Sequence, residues 1–137
     1  MSSCEGFPFV IISLMRKSSL LYIGLCLVIL VWALNWIALD LYLYWTLGWY
    51  DYMMHFLGGF TLSILGVWLW GGERSSKSFL IIFLGVMILA IGFEIFEYLN
   101  NLNYLIPQNY ITDTTHDLIA GAFGAALAYW LATSRPQ

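Results

Sequence analysis

Apolar and polar positions fall in long blocks along the chain, and the blocks set the expected elements. Leu20 to Leu39 is an unbroken uncharged run, enough for a helix to cross ~30 Å of hydrocarbon, which takes about 20 residues at ~1.5 Å each. Met53 to Trp70 forms a second apolar block, Phe79 to about Tyr98 a third, and Asp113 to about Ala132 a fourth. The pattern predicts an all-α, polytopic integral membrane protein: a four-helix transmembrane bundle with spans at about 20–39, 53–70, 79–98 and 113–132. Ahead of it, Phe7 to Met15 is apolar but too short to span and is interrupted by Arg16-Lys17, so residues 1–19 are read as an N-terminal tail suited to the interface. Residues 133–137 form a C-terminal tail. The first run is long for a signal-peptide core and no small-x-small site follows, so it is read as an uncleaved helix.

The segments between the blocks support this division. Asp40 to Tyr52 carries Tyr42, Tyr44, Trp45, Trp49, Tyr50 and Tyr52 and no Lys or Arg, the composition of an interfacial aromatic belt. Gly71 to Ser78 is a short polar turn, and the Asn and Pro content of Asn100 to Thr112 predicts a loop. Gly85 and Gly92 in the third block, and Gly121, Gly124, Ala125, Ala126 and Ala128 in the fourth, allow close helix approach.

Composition sharpens the class. Of 137 residues, 61% are hydrophobic and 9% charged, with mean hydropathy +0.81; a soluble domain carries about 25% charged residues and could not bury this much apolar surface. The length suits one membrane domain. A net charge of −3 without a basic patch excludes nucleic acid as a partner. Cys4 and Cys26 form neither a disulfide framework nor a paired metal motif and are read as inert thiols. Arg16, Lys17, Arg74, Lys77 and Arg135 all fall on one side of a four-span layout, which by the positive-inside rule makes both termini and the middle loop cytoplasmic.

The candidate chemistry lies at the opposite end. Asp51 and His55 stand four apart, Glu94 and Glu97 three apart, and Asp113 and Asp117 four apart, so each pair shares one helix face. Counting helical rise from the cytoplasmic ends places His55, Glu94 and Asp117 at roughly 22 Å, and Asp51, Glu97 and Asp113 at roughly 27–28 Å. Three helices therefore carry polar groups in two layers of matching depth. Ionisable groups there cost up to ~2.5–3.5 kcal/mol each unless they face a bundle interior or a wet cavity, which favours convergence. Asp51, Glu94, Glu97, Asp113 and Asp117 have no basic residue on their side, so together they must share protons or bind a cation. With His55 and His116, the oxygen and imidazole donors suit Mg²⁺, Mn²⁺ or Zn²⁺, although the paired Glu-x-x-His repeat of bundle carboxylate sites is missing.

Each residue also has an ordinary reading. Asp113, Thr112 or Thr114 suits a helix cap, with Asp117 favourable to the dipole, and Asp51 stands where its helix begins. His55 suits a satisfied interfacial histidine. Glu94 and Glu97 resist such treatment, because anions are disfavoured at a helix C-terminus.

Asp51-x-x-x-His55-x-x-Gly58-Gly59, Glu94-x-x-Glu97 and Asp113-x-x-x-Asp117 followed by Gly124-Ala125 resemble the VanZ-like proteins and the related YjdF-type small bacterial inner-membrane proteins. The resemblance covers about residues 20 to 132. It implies a compact multi-span protein of the bacterial inner membrane, in a family whose name-giving members are linked to low-level resistance to the glycopeptide teicoplanin. Gly121 stands where that pattern commonly has an Asn four residues after the last helix's second acid, which removes one polar group from the site.

Three functions follow as expectations. The first is a metal-dependent enzyme on a lipid-linked or cell-envelope substrate, with catalytic Asp51, His55, Glu94, Glu97, Asp113 and Asp117, and His116 added to them as metal ligands. The second is an ion- or proton-coupled transporter. The third is a non-catalytic VanZ-like envelope or glycopeptide-resistance factor. Membrane lipid is the expected partner, and oligomers are compatible with the pattern.

Overall fold

A computed structural model of the chain describes residues 6–71, 74–100 and 110–133, with side chains from residue 17 onward. The middle of the Asn- and Pro-rich loop, the tail with Arg135, and Cys4 lie outside the described residues. Among the described residues five helices follow one another: α1 Gly6–Asp40, α2 Leu43–Thr46, α3 Tyr50–Trp70, α4 Ser76–Leu99 and α5 Tyr110–Ala132. The described residues contain no strand.

Among the described residues three helices have segments long and apolar enough to cross a membrane: Lys17–Asp40, Tyr50–Trp70 and Ser76–Leu99. α5 is long enough at 23 residues, but Thr112, Asp113, Thr114, Thr115, His116 and Asp117 fill its first two turns and lower its hydropathy. The expected fourth span is thus a helix whose composition alone does not mark it as one. α1 is one continuous helix from Gly6, with no break at Arg16-Lys17. Long helical side chains are compatible with helix on either side of an interface, so charge there did not end it.

The aromatic segment between α1 and α3 is more structured than a belt. Tyr42 turns the chain in the left-handed region (φ 56°) and α2 follows. Tyr44 and Tyr50 are buried with Ala38 and Met54, their rings edge to face at 5.3 Å. The Tyr44 hydroxyl donates to Asn35 Oδ1 at 2.8 Å, and that of Tyr50 to the Leu34 carbonyl at 3.0 Å. These bonds let two tyrosines be buried without stranding a polar tip, and they fix the corner from which α3 starts, three residues earlier than the apolar block predicts.

α3 is the central helix. It packs on α1, α4 and most extensively on α5. A Cβ on Gly59 would overlap the Gly121 carbonyl, and one on Gly124 would overlap the Phe56 carbonyl. The two backbones therefore approach where only hydrogen fits, the geometry small residues permit in membrane helices. The Ser63 hydroxyl, four residues past Gly59, donates to the Ala125 carbonyl at 2.8 Å, four residues past Gly121. α3 and α5 thus run in the same direction with a constant register.

α4 is fastened to α5 at both ends. At its start, Ser75 and Ser78 form a reciprocal capping box, the Tyr129 hydroxyl lies 2.6 Å from Ser78 Oγ and donates to the Ser75 carbonyl at 2.9 Å. The Arg74 guanidinium donates to Thr133 Oγ1 at 3.0 Å and to the carbonyls of Thr133 and Trp130, satisfying groups that the end of α5 would leave unpaired. At its far end, α4 meets α5 through Glu94.

Candidate functional site

The α3–α5 register builds the site. One turn before the Gly59–Gly121 contact, His55 and Asp117 stand side by side, with Asp117 Oδ1 4.0 Å from His55 Nε2. Asp51, one further turn back on α3, brings Oδ1 to 3.6 Å from the same nitrogen. From the antiparallel α4, Glu94 Oε1 also comes to 3.6 Å. The donor atoms of Asp51, His55 and Asp117 lie within 4.8 Å of one another, as do those of His55, Glu94 and Glu97. His55 is shared by both groups, and five residues on three helices converge.

The centre is largely buried. Asp51 is 9% exposed, Glu94 4% and Asp117 2%. Glu94 is held by the Thr114 hydroxyl, which donates to Oε2 at 2.9 Å, while the Tyr110 hydroxyl donates to the Glu94 carbonyl at 3.3 Å. Glu94 Oε1 and Asp117 Oδ1 are buried with no hydrogen-bond partner. Leaving a buried acceptor unsatisfied costs roughly 1–3 kcal/mol, and more if it is charged, so both oxygens favour something placed between them and His55.

The spacing says what fits. A hydrogen bond from a ring N–H needs about 2.7–3.2 Å, and all three nitrogen–oxygen distances exceed it. Atoms coordinating one cation at about 2.0–2.2 Å stand about 3.0–3.5 Å apart, so a slight contraction would seat an ion. Arg74 and Lys77 lie at the opposite end of α4 and Lys17 near the far end of α1. Among the described residues every ion-pair contact is made by His55. Among the described residues no Lys or Arg side chain pairs with these carboxylates.

The remaining candidates are placed differently. Asp113 is half-buried in the first turn of α5, outside both donor groups but within electrostatic reach of Asp51 and Glu94. His116 is exposed, its ring edge-on to Tyr52 at 5.5 Å, and also outside the groups. α5 begins at Tyr110, so neither Asp113 nor Thr114 is its cap, and α3 has no side-chain cap on Trp49, with Asp51 in its first turn. Thr114, read from the sequence only as a cap candidate, instead reaches the site, where it donates to Glu94 from three residues before Asp117. Phe93, whose ring lies edge to face with His55 at 5.9 Å, is a neighbour of the site that no motif announces.

Asp51, His55 and Glu97 also line one end of a cavity of about 700 Å³ between α1, α3 and α4. A family model described as "predicted membrane protein (DUF2238)" matches residues 7–136. No curated protein and no solved structure matches the chain. On the extent of the model match, the chain belongs to the DUF2238 family of membrane proteins.

Proposed function

We propose that this member of the DUF2238 membrane-protein family is a metal-dependent enzyme acting on a lipid-linked or cell-envelope substrate. Asp51, His55, Glu94, Glu97 and Asp117 would hold the ion. The observation that carries this reading is the pair of buried, unpartnered oxygens, Glu94 Oε1 and Asp117 Oδ1, both facing a histidine nitrogen at a distance too long for a hydrogen bond. One imidazole among four carboxylates is an oxygen-rich donor set, suited to Mn²⁺ or Mg²⁺ and compatible with Zn²⁺. The ion would polarise a phosphoryl or carbonyl oxygen or activate a water. Asp113, outside both donor groups, is assigned the role of base, and Thr114 orients Glu94. A phosphate substrate needs such an ion, since among the described residues no Lys or Arg lies at that end.

The remaining parts of the reading follow from the sequence. α5 completes a four-helix transmembrane bundle, both termini face the cytoplasm, and the resemblance to VanZ-like proteins supports the bacterial inner membrane as the location. The site then opens at the outer face. The inner-half hydroxyls favour an enzyme over a transporter: Thr61 donates to the Leu57 carbonyl at 2.7 Å and Ser63 to Ala125, so neither extends a polar path inward.

The test is metal binding to protein purified in detergent. About one Mn²⁺ per chain is expected, with affinity falling at least ~100-fold in Glu94→Gln and His55→Ala while both variants stay folded. Protein that binds no divalent ion, and whose melting temperature ignores Mn²⁺, Mg²⁺ and Zn²⁺, refutes the enzyme reading and leaves a proton-coupled transporter or a non-catalytic factor.

A further inference from the structure

We infer that the cavity between α1, α3 and α4 is the seat of one acyl chain of a membrane phospholipid, whose phosphate is presented to the ion at the His55 centre. The inference deepens the metal-enzyme reading and rests on it for the headgroup; the chain seat stands on its own geometry.

The first observation is polarity. Asp51, His55 and Glu97 line one end, joined by Asn35 with the Tyr44 hydroxyl bonded to it, whereas Val28, Leu62, Val86 and Leu89 line the other. An amphiphile is matched from head to tail. The second is length. The lining runs from Asp51 to Leu62 on α3 and from Glu97 to Val86 on α4, about eleven residue steps on each helix, or ~16 Å of rise. A leaflet contributes about half of the ~30 Å hydrocarbon layer, ~15 Å. Val86, which lines the cavity, also belongs to the buried cluster with Leu20, Ile64 and Ile82.

The third observation is access. α1 and α4 pack on α3 from two sides and have little contact with each other. Trp32, Phe93 and Phe96 line the cavity and are still more than half exposed or close to it, at 63%, 50% and 52%. In a membrane protein that outward opening meets hydrocarbon, so a chain enters sideways without crossing water. Charge completes the match: a centre of carboxylates repels a phosphate until a divalent ion is bound, so headgroup binding should require metal.

Gly58 provides the perturbation. It lines the cavity one turn below His55, and a Cβ there meets nothing within 4 Å, so a larger side chain would occupy the chain's space and not the helix contacts. Ala90 offers the same on the α4 wall. Gly85, exposed on α4 and outside the cavity, where an added Cβ also meets nothing within 4 Å, is the control.

The experiment is native mass spectrometry of full-length protein in detergent, titrated with dipalmitoyl phosphatidylglycerol with and without Mn²⁺, beside a separate Mn²⁺ titration. One lipid per chain is expected, held more tightly with Mn²⁺. Gly58→Leu and Ala90→Phe each displace two or more methylenes, weakening lipid binding at least ~10-fold while Mn²⁺ affinity is unchanged; Gly85→Leu binds as wild type. Lipid binding unchanged in both cavity variants overturns the inference even if the metal site stands. Gly58-dependent lipid retention by protein that binds no Mn²⁺ supports the chain seat and sinks the metal reading. Undecaprenyl phosphate retained in preference to phosphatidylglycerol overturns the choice of phospholipid.

Discussion

Gly58 and Gly59 are neighbours in one helix, and the structure assigns them opposite responses to the same added methyl group. At Gly59 a Cβ would overlap the Gly121 carbonyl carbon and oxygen. Both belong to helix backbone, so neither can swing aside, and α3 and α5 must part by on the order of 1 Å to recover ordinary contact. Overpacking of this kind costs about 1–3 kcal/mol, offset by about 0.5–1 kcal/mol from replacing a helical glycine. The net expectation for Gly59→Ala is a loss of roughly 1–2 kcal/mol. For Gly58→Ala only the propensity gain remains, since nothing lies within 4 Å, so stability should rise by up to about 1 kcal/mol. Parting α3 from α5 also draws His55 away from Asp117, already 4.0 Å apart, so Mn²⁺ affinity should fall in Gly59→Ala and not in Gly58→Ala. Unfolding by SDS titration in mixed micelles, with and without Mn²⁺, measures both effects. Equal stability of the two variants, or a Gly58→Ala variant weaker than Gly59→Ala, would refute the close crossing and the register argued from it.

Three further outcomes follow from the same geometry. Asp117→Asn removes one acid from a crowded centre, so in EDTA its melting temperature should match or exceed wild type, while the stabilisation given by Mn²⁺, about 2.7 kcal/mol at a hundredfold excess over Kd, should largely vanish; a variant that melts lower in EDTA yet still responds fully to Mn²⁺ contradicts this. Thr114→Val deletes the donor to Glu94 Oε2 without changing volume much and should weaken Mn²⁺ binding ~10–100-fold, read by isothermal titration; unchanged affinity would make that hydrogen bond incidental. Tyr129→Phe removes the hydroxyl shared by Ser75 and Ser78 and should cost about 1–2 kcal/mol in the same SDS assay with Mn²⁺ affinity intact, because it loosens α4 at the end remote from the acids.

The sequence by itself determined the class of this protein. Apolar blocks of spanning length and a scarcity of charge allow only a helical membrane protein, because every buried backbone group must be satisfied within its own segment. Spacing of three and four residues put Asp51 with His55 and Glu94 with Glu97 on common faces, and helical rise put His55, Glu94 and Asp117 at one depth. Rise and periodicity act along a single helix, so these features were legible without knowing what packs on what. The tertiary structure decided the rest. It brings His55 into both donor groups and leaves His116 against Tyr52, a choice made by rotation of α5 about its axis. That rotation is fixed by Gly59 on Gly121 and Gly124 on Phe56, contacts between helices that no period within either one encodes. Tyr44 and Tyr50, which compose like belt residues, are buried because Asn35 and the Leu34 carbonyl are there to accept their hydroxyl protons. The cavity exists for the same kind of reason: α1 and α4 each bury a face on α3 and have little contact with each other, and only their relative placement creates a space beside the acids.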